Sequence, residues 1–206
     1  MDKVSAFYEA LDQQAFEQAK RLYQEMQDGV GNKDIDQQFW VRNHGVYLAL
    51  AQADINLARQ LAEQNKRLVE QAMAKELQHI AYHQLAMVER EAQHYELALA
   101  IIDQERDVID STDKLALSAN AYEFGYLHFL LGHYAVAEQE MQKSLTLALE
   151  SDDQVAQACA YRGLGEITAE LSCFEKAKAL FLHVNDEVGA CQVDELMRQY
   201  ASKPSF

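Results

Sequence analysis

The stretch HIAYH sets His79 and His83 four residues apart, stacked on one helix face, a spacing two imidazoles often use to hold zinc. A metallopeptidase needs a glutamate directly after the first histidine, where this chain has Ile80, and no third ligand follows at a suitable distance. Packing is therefore the expectation for this pair, with no metal and no cofactor. Cys159, Cys173 and Cys191 form an odd set without metal-site spacing and are expected to be reduced thiols, which suits a cytoplasmic protein. RGLGE, from Arg162 to Glu166, lacks both the preceding strand and the glycine spacing of a phosphate loop. Asp152 with Asp153, and Asp107 with Asp110, fall at expected helix ends, where carboxylates serve as solvated caps. None of these groups assembles a nucleophile with a base, and the chain is expected not to be an enzyme.

The elements that position these residues repeat along the chain. QAFEQAKRLY, ADINLARQLA, QHYELALAII, GHYAVAEQEM and SCFEKAKALF each carry an aromatic residue or Ile at the third place and Ala at the sixth. The alanines are Ala19, Ala58, Ala98, Ala137 and Ala177, spaced 39, 40, 39 and 40 residues apart. A period in that range is the mark of a solenoid of helical hairpins. The spacing predicts first helices near 3–11, 34–51, 73–92, 113–131 and 153–171, and second helices near 14–28, 54–70, 94–109, 134–150 and 174–183. Asn185 to Gln199 is expected to form an eleventh helix that caps the last hairpin. Ser, Thr, Asp or Asn stands before the first helices in NKDID, DSTDK and ESDDQ, where a short side-chain oxygen satisfies free backbone N–H groups. DGVGNK is the one Gly-rich break and is too short for a linker, so residues 1–206 are expected to form one domain.

The repeated alanine has a steric reading. Helix axes within a hairpin approach to roughly 8–10 Å, which a bulky side chain at the crossing would prevent. Twelve residues before the last three alanines stand Ala86, Gly125 and Gly165, small residues suited to face them.

Composition narrows the partners. The chain of 206 residues holds 33 acidic against 18 basic side chains, a formal charge of -15. Such a surface repels phosphate backbones and anionic lipid, so neither nucleic acid nor membrane is expected, and a neutral or basic partner is favoured. No segment approaches membrane-spanning length, and the N-terminus has no apolar run suited to a signal peptide.

The pattern resembles the tetratricopeptide repeat (TPR) superfamily, whose signature is a small residue in the first helix and an Ala twelve places on. An aromatic or aliphatic residue precedes that Ala by three places and a large residue follows it by four. Gly125, Tyr134, Ala137 and Met141 match, as do Gly165, Phe174, Ala177 and Phe181, and Ala86, Tyr95, Ala98 and Ile102. In the second unit Gly45 falls one place off and Val46 holds the small position, while in the first Phe7 stands there. The period near 40 departs from the usual 34 of the family and is similar to the repeat portion of the bacterial Rap and PlcR peptide-sensing regulators and to kinesin light chain. The two-Lys, two-Asn pattern of co-chaperones is not evident.

The resemblance implies an all-α right-handed superhelix of about five hairpins with a capping helix, and a concave groove lined by the first helices. Carried over by register, the groove positions are Asn43, Tyr47, His83, Met87, Tyr122, Tyr126, Arg162 and Glu166, with Arg90 and Phe129 one turn further on the same face. Asn bonds amides in both senses, Tyr offers rigid area with a polar tip, and Arg clamps a carboxylate. The expected function is a non-enzymatic cytoplasmic module that binds a peptide or protein segment. The competing expectation is an assembly protein that acts as a homo-oligomer.

Overall fold

A computed structural model describes residues 2–31 and 34–201. Asn32 and Lys33 of the Gly-rich break lie outside the described residues. The described chain is all helix, and no helix in it is long and apolar enough to cross a membrane. It divides into two compact units, Met1–Val108 and Ile109–Phe206.

The first unit contains α1 (Lys3–Asp12), α2 (Phe16–Asp28), α3 (Ile35–Ala51), α4 (Ile55–Ala72), α5 (Lys75–Glu91) and α6 (Tyr95–Val108). The second contains α7 (Lys114–Leu130), α8 (Tyr134–Glu150), α9 (Gln154–Thr168), α10 (Leu171–His183) and α11 (Glu187–Ala201). In both units each helix packs chiefly on its neighbours in sequence, which is the helical-repeat architecture that the period implied.

Aspartate sets most of the starts. The carboxylates of Asp2, Asp34, Asp54, Asp113 and Asp153 each accept a hydrogen bond from the backbone N–H three residues on, and Asp186 does the same for Gly189. Each satisfies a donor that the first turn leaves without an intrahelical partner. The exits are equally uniform. Gln14, Ala53, Met73, Gln93, Gly132, Asp152 and Asn185 all have φ between 54° and 78°. The residue after each sends its N–H back five places: Asp54 to Ala49 at 2.9 Å, His94 to Glu89 at 2.9 Å, His133 to His128 at 2.8 Å. This is the left-handed Schellman closure, and six of these seven positions do without the glycine that usually occupies it.

The exit of α9 differs. Ala169, at φ 59°, uses a single bond from its own N–H to Gly165 C=O. Thr168 Oγ1 bonds back to Leu164 C=O and accepts from Glu170 N–H. The chain therefore turns three residues before the periodic position, and α10 opens at Leu171 rather than near 174. Glu170 and Leu171 are residues a helix accepts readily, so the second helix gains nearly a turn at the expense of the first.

The five alanines are all fully buried, as is Ala86. A Cβ on Gly125 would stand 3.1 Å from Ala137 C=O and 3.2 Å from Met141 N, so α7 lies directly on the backbone of α8. Gly165 has another neighbour than its register suggests: a Cβ there would stand 2.8 Å from the Phe174 ring. Gly45 is filled from the preceding hairpin, because a Cβ would overlap the hydroxyl of Tyr23 on α2. Phe39, Val69, Leu77 and Ala81 form one core patch of the first unit, and Ala158, Phe174, Ala177, Phe181, Ala190 and Val193 form one of the second.

Candidate functional site

In the second unit, α7, α9 and α11 present one polar and aromatic face. Tyr122 and Tyr126, a turn apart on α7, stack with ring centroids 6.1 Å apart and planes 9° from parallel. Phe129 continues the series 6.1 Å beyond Tyr126, and Tyr134, at the start of α8, meets it edge-on at 5.9 Å. The ring bodies of Tyr122 and Tyr126 rest on the core patch of Met141, Leu145, Ala160 and Leu164. The ladder thus runs from half-buried Tyr122 out to Tyr134, which is 59% exposed.

Arg162 on α9 ties this face together. Its Nη2 donates to the Tyr122 hydroxyl at 3.0 Å and its Nη1 to Gln192 Oε1 of α11 at 3.0 Å. The guanidinium carbon lies 5.9 Å from the centre of the Phe181 ring. Both of these acceptors are neutral, although Glu166 sits one turn along the same helix. Burial pushes the Tyr122 phenol up to about 12, against the pull of the Arg162 charge. Burial also raises the Glu166 carboxyl above its ordinary value, with Arg162 opposing. The Tyr200 hydroxyl donates to Glu166 C=O at 2.7 Å, fixing α11 against α9.

In the first unit the corresponding positions are more enclosed. Asn43 is only 3% exposed, and its carbonyl accepts from Gln84 Nε2 of α5 at 3.1 Å. Tyr47 packs edge-on to Tyr8 of α1 at 5.9 Å, and the Tyr8 hydroxyl meets His44 Nδ1 at 3.0 Å. Burial depresses the basicity of His44 and pushes Tyr8 up to about 12. His83 faces Glu105 of α6, with Nδ1 3.1 Å from a carboxylate that is 1% exposed. Met87 is half-buried, and Arg90 lies 3.2 Å from Glu91. The structure therefore gathers Tyr122, Tyr126, Phe129, Arg162 and Glu166 in one unit, and Tyr47, His83, Met87 and Arg90 in the other, with Asn43 beneath the surface.

Three participants escaped the sequence reading. Gln192 lies on the helix taken only as a cap, Tyr8 on the weakest repeat, and Tyr134 at a position the motif assigns to packing. The FY pair at Phe7 and Tyr8 was a usable signal, since adjacent aromatics on one helix cannot both face the same core.

The other chemical candidates have ordinary surroundings. Cys173 is buried and Cys159 half-buried, and burial pushes both thiols up, toward the neutral and less nucleophilic form. Asp153 caps α9, and Asp110 accepts from Thr112 N–H and Oγ1, which holds its carboxyl below the usual range. Among the described residues no three His, Cys, Asp or Glu side chains form a metal-binding group.

No family model matches the chain, and no curated protein matches its sequence. Solved structures do. BtubC (BKLC) from P. vanneervenii is similar over 96% of this chain and 80% of its own, with a TM-score of 0.64 and 15% identity. A Signal Transduction ATPase with Numerous Domains (STAND) protein with a tetratricopeptide repeat sensor, from Pyrococcus horikoshii, is similar over 93% of this chain, with a TM-score of 0.65 and 18% identity. This chain spans 31% of that protein's length. At such identities the likeness speaks for architecture alone: the chain has an all-α helical-repeat fold.

Proposed function

We infer that the protein is a binding module that holds an extended peptide or protein segment against the first helices of its hairpins. The observation that carries this reading is the bond between Tyr122 and Arg162, continued to Gln192. Three helices contribute to one polar line, and the guanidinium in it has neutral acceptors, so its remaining N–H groups are suited to a ligand carbonyl or carboxylate. The aromatic series from Tyr122 to Tyr134 supplies rigid apolar area beside it, the usual composition of a recognition surface. The charge of -15 favours a segment that is neutral or basic overall, and Glu166 is suited to a ligand cation. The long repeat period, like that of the Rap and PlcR group, favours a signalling or regulatory peptide, and the STAND neighbour carries its repeats as a sensor.

The test is selection from a random peptide library on the wild-type chain, followed by affinity measurement on a folded Tyr122→Ala/Arg162→Glu variant. Selected peptides are expected to lose at least about tenfold in affinity, or 1.4 kcal/mol. Equal binding by both chains would overturn the assignment to this face.

A further inference from the structure

A second polar recess lies in the first unit. It is a cleft of about 310 Å³ between α2, α3 and α4, walled by Tyr23, Gln27, Gln38, Arg42, Leu61 and Gln64. That volume is at the small end of what ligand sites occupy. We propose that this cleft binds the oxyanion, a carboxylate or phosphate, of a small polar ligand, with Arg42 as its anchor.

The charge balance of the lining is the first ground. Arg42 is the one ionisable cation among these lining residues, and no carboxylate is among them, in a chain where acids outnumber bases 33 to 18. The guanidinium is half-buried, and burial lowers its pKa, with the neighbouring Tyr23 acting in the opposite sense. Arginine keeps its charge under such conditions, and an anion brought to it offsets the cost of burial.

The guanidinium is also held in place. Arg42 Nη1 donates to Asn65 Oδ1 at 3.2 Å, and Asn65, fully buried, donates through Nδ2 to Phe39 C=O at 3.2 Å. The relay runs from the backbone of α3 through α4 to the charge and employs one of about five N–H donors, leaving the fork for a planar anion. Beside it the Tyr23 hydroxyl rests on α3 where Gly45 has no side chain. A larger residue at 45 would displace that hydroxyl. Gln38 and Gln64 bring amides to the rim, and Leu61 gives one apolar wall, so an anionic head with a short apolar body fits the lining.

The test uses the purified chain and two probes, succinate and inorganic phosphate, titrated at matched ionic strength while the Arg42 Nε–H and Gln64 amide resonances are followed. Saturable shifts with a roughly millimolar or tighter Kd are expected for at least one probe. Saturation by succinate alone marks a carboxylate ligand, by phosphate alone a phosphate ligand, and either supports the site. Arg42→Gln is expected to weaken binding at least about tenfold. Should that variant lose its fold through the Asn65 relay, Gln64→Glu keeps Arg42 and places a competing carboxylate at the rim, with the same expected loss. Lys143→Gln, on α8 of the other unit, is expected to leave the titration unchanged. Absence of saturation by both probes up to about 50 mM, or equal binding by Gln64→Glu, would overturn the proposal and leave the reading of the Tyr122 face as it stands.

Discussion

The hydroxyl of Tyr122 and Nη2 of Arg162 stand 3.0 Å apart, forty positions from each other in sequence and on successive first helices of the second unit. A phenol held by a charged donor contributes more than an ordinary side-chain bond, about 1.5–3 kcal/mol. Tyr122→Phe is expected to lower unfolding free energy by about 1–2 kcal/mol at neutral pH, since the ring keeps its packing. Because burial raises the folded phenol from 10.0 to about 12, its contribution is present below pH 10 and lost as pH climbs toward 12. Urea titrations across that window are expected to show the wild-type advantage shrinking, and an advantage that grows with pH would contradict the assignment.

Glu89 gives the opposite sign at the acid end. It is 3% exposed and bonded by Arg59 and by His94, with Arg59 Nη2 2.9 Å and His94 Nδ1 2.8 Å from Oε2. Burial is the largest influence and pushes the carboxyl up, but the bonds and charges of Arg59 and His94 together bring it below its ordinary 4.5. Its stabilisation is therefore present above pH 4.5 and is lost as pH falls through the lower folded value. Arg59→Gln is expected to cost about 2–4 kcal/mol at pH 7, since it leaves a buried carboxylate short of its main partner. Chemical denaturation at pH 7 and pH 3.5 checks this, with the gap narrowing at the lower pH.

Gly125 and Ala137 test the close approach of α7 to α8. Gly→Ala within a helix ordinarily stabilises by roughly 0.5–1 kcal/mol. Here the added Cβ meets backbone atoms at 3.1 and 3.2 Å, which cannot yield as a flexible side chain does. Gly125→Ala is expected to destabilise instead, and Ala137→Leu to cost about 1–3 kcal/mol through overpacking. Thermal midpoints of the two variants decide the matter, and a rise for Gly125→Ala would refute the packing argument.

The left-handed turns offer stabilising changes. Ala53 and Gln93 hold φ of 58° and 62° with a side chain, at a conformational cost near 1 kcal/mol. Ala53→Gly and Gln93→Gly are each expected to raise stability by about 0.5–1 kcal/mol, part of the gain being returned to the freer unfolded chain. Gly132→Ala, at φ 78°, is expected to lower it by about 1 kcal/mol. Denaturation midpoints moving in opposite directions would confirm the turn geometry.

The hairpins were legible because the alanine period and the aspartate caps are both local signals. All five alanines are buried, and Asp34, Asp113 and Asp153 cap the helices for which the sequence proposed caps. The start of α10 was not legible. Ser172 and Cys173 sit in the register where Gln93 and His94 turn the chain, yet the turn is made earlier by Thr168 and Ala169, and hydrogen bonds of a threonine hydroxyl leave no periodic trace. Gly45 stands one place off the register for a related reason: its neighbour is Tyr23 of the previous hairpin, and contacts between hairpins do not follow the spacing within one. On the candidate face, the register located Tyr122 and Arg162, but it carried no information that Arg162 would reach across to Gln192, because α11 follows a shorter interval than the repeats before it.

Helices that pack on their chain neighbours have a kinetic corollary. The loops to be closed before α7 meets α8, or α3 meets α4, are only a few residues long, so little chain entropy stands between the unfolded state and the first productive contact. Folding dominated by such short-range encounters runs on the scale of microseconds to milliseconds. Each hairpin can thus begin to pair once both of its helices have left the ribosome, while the rest of the chain is still being synthesised.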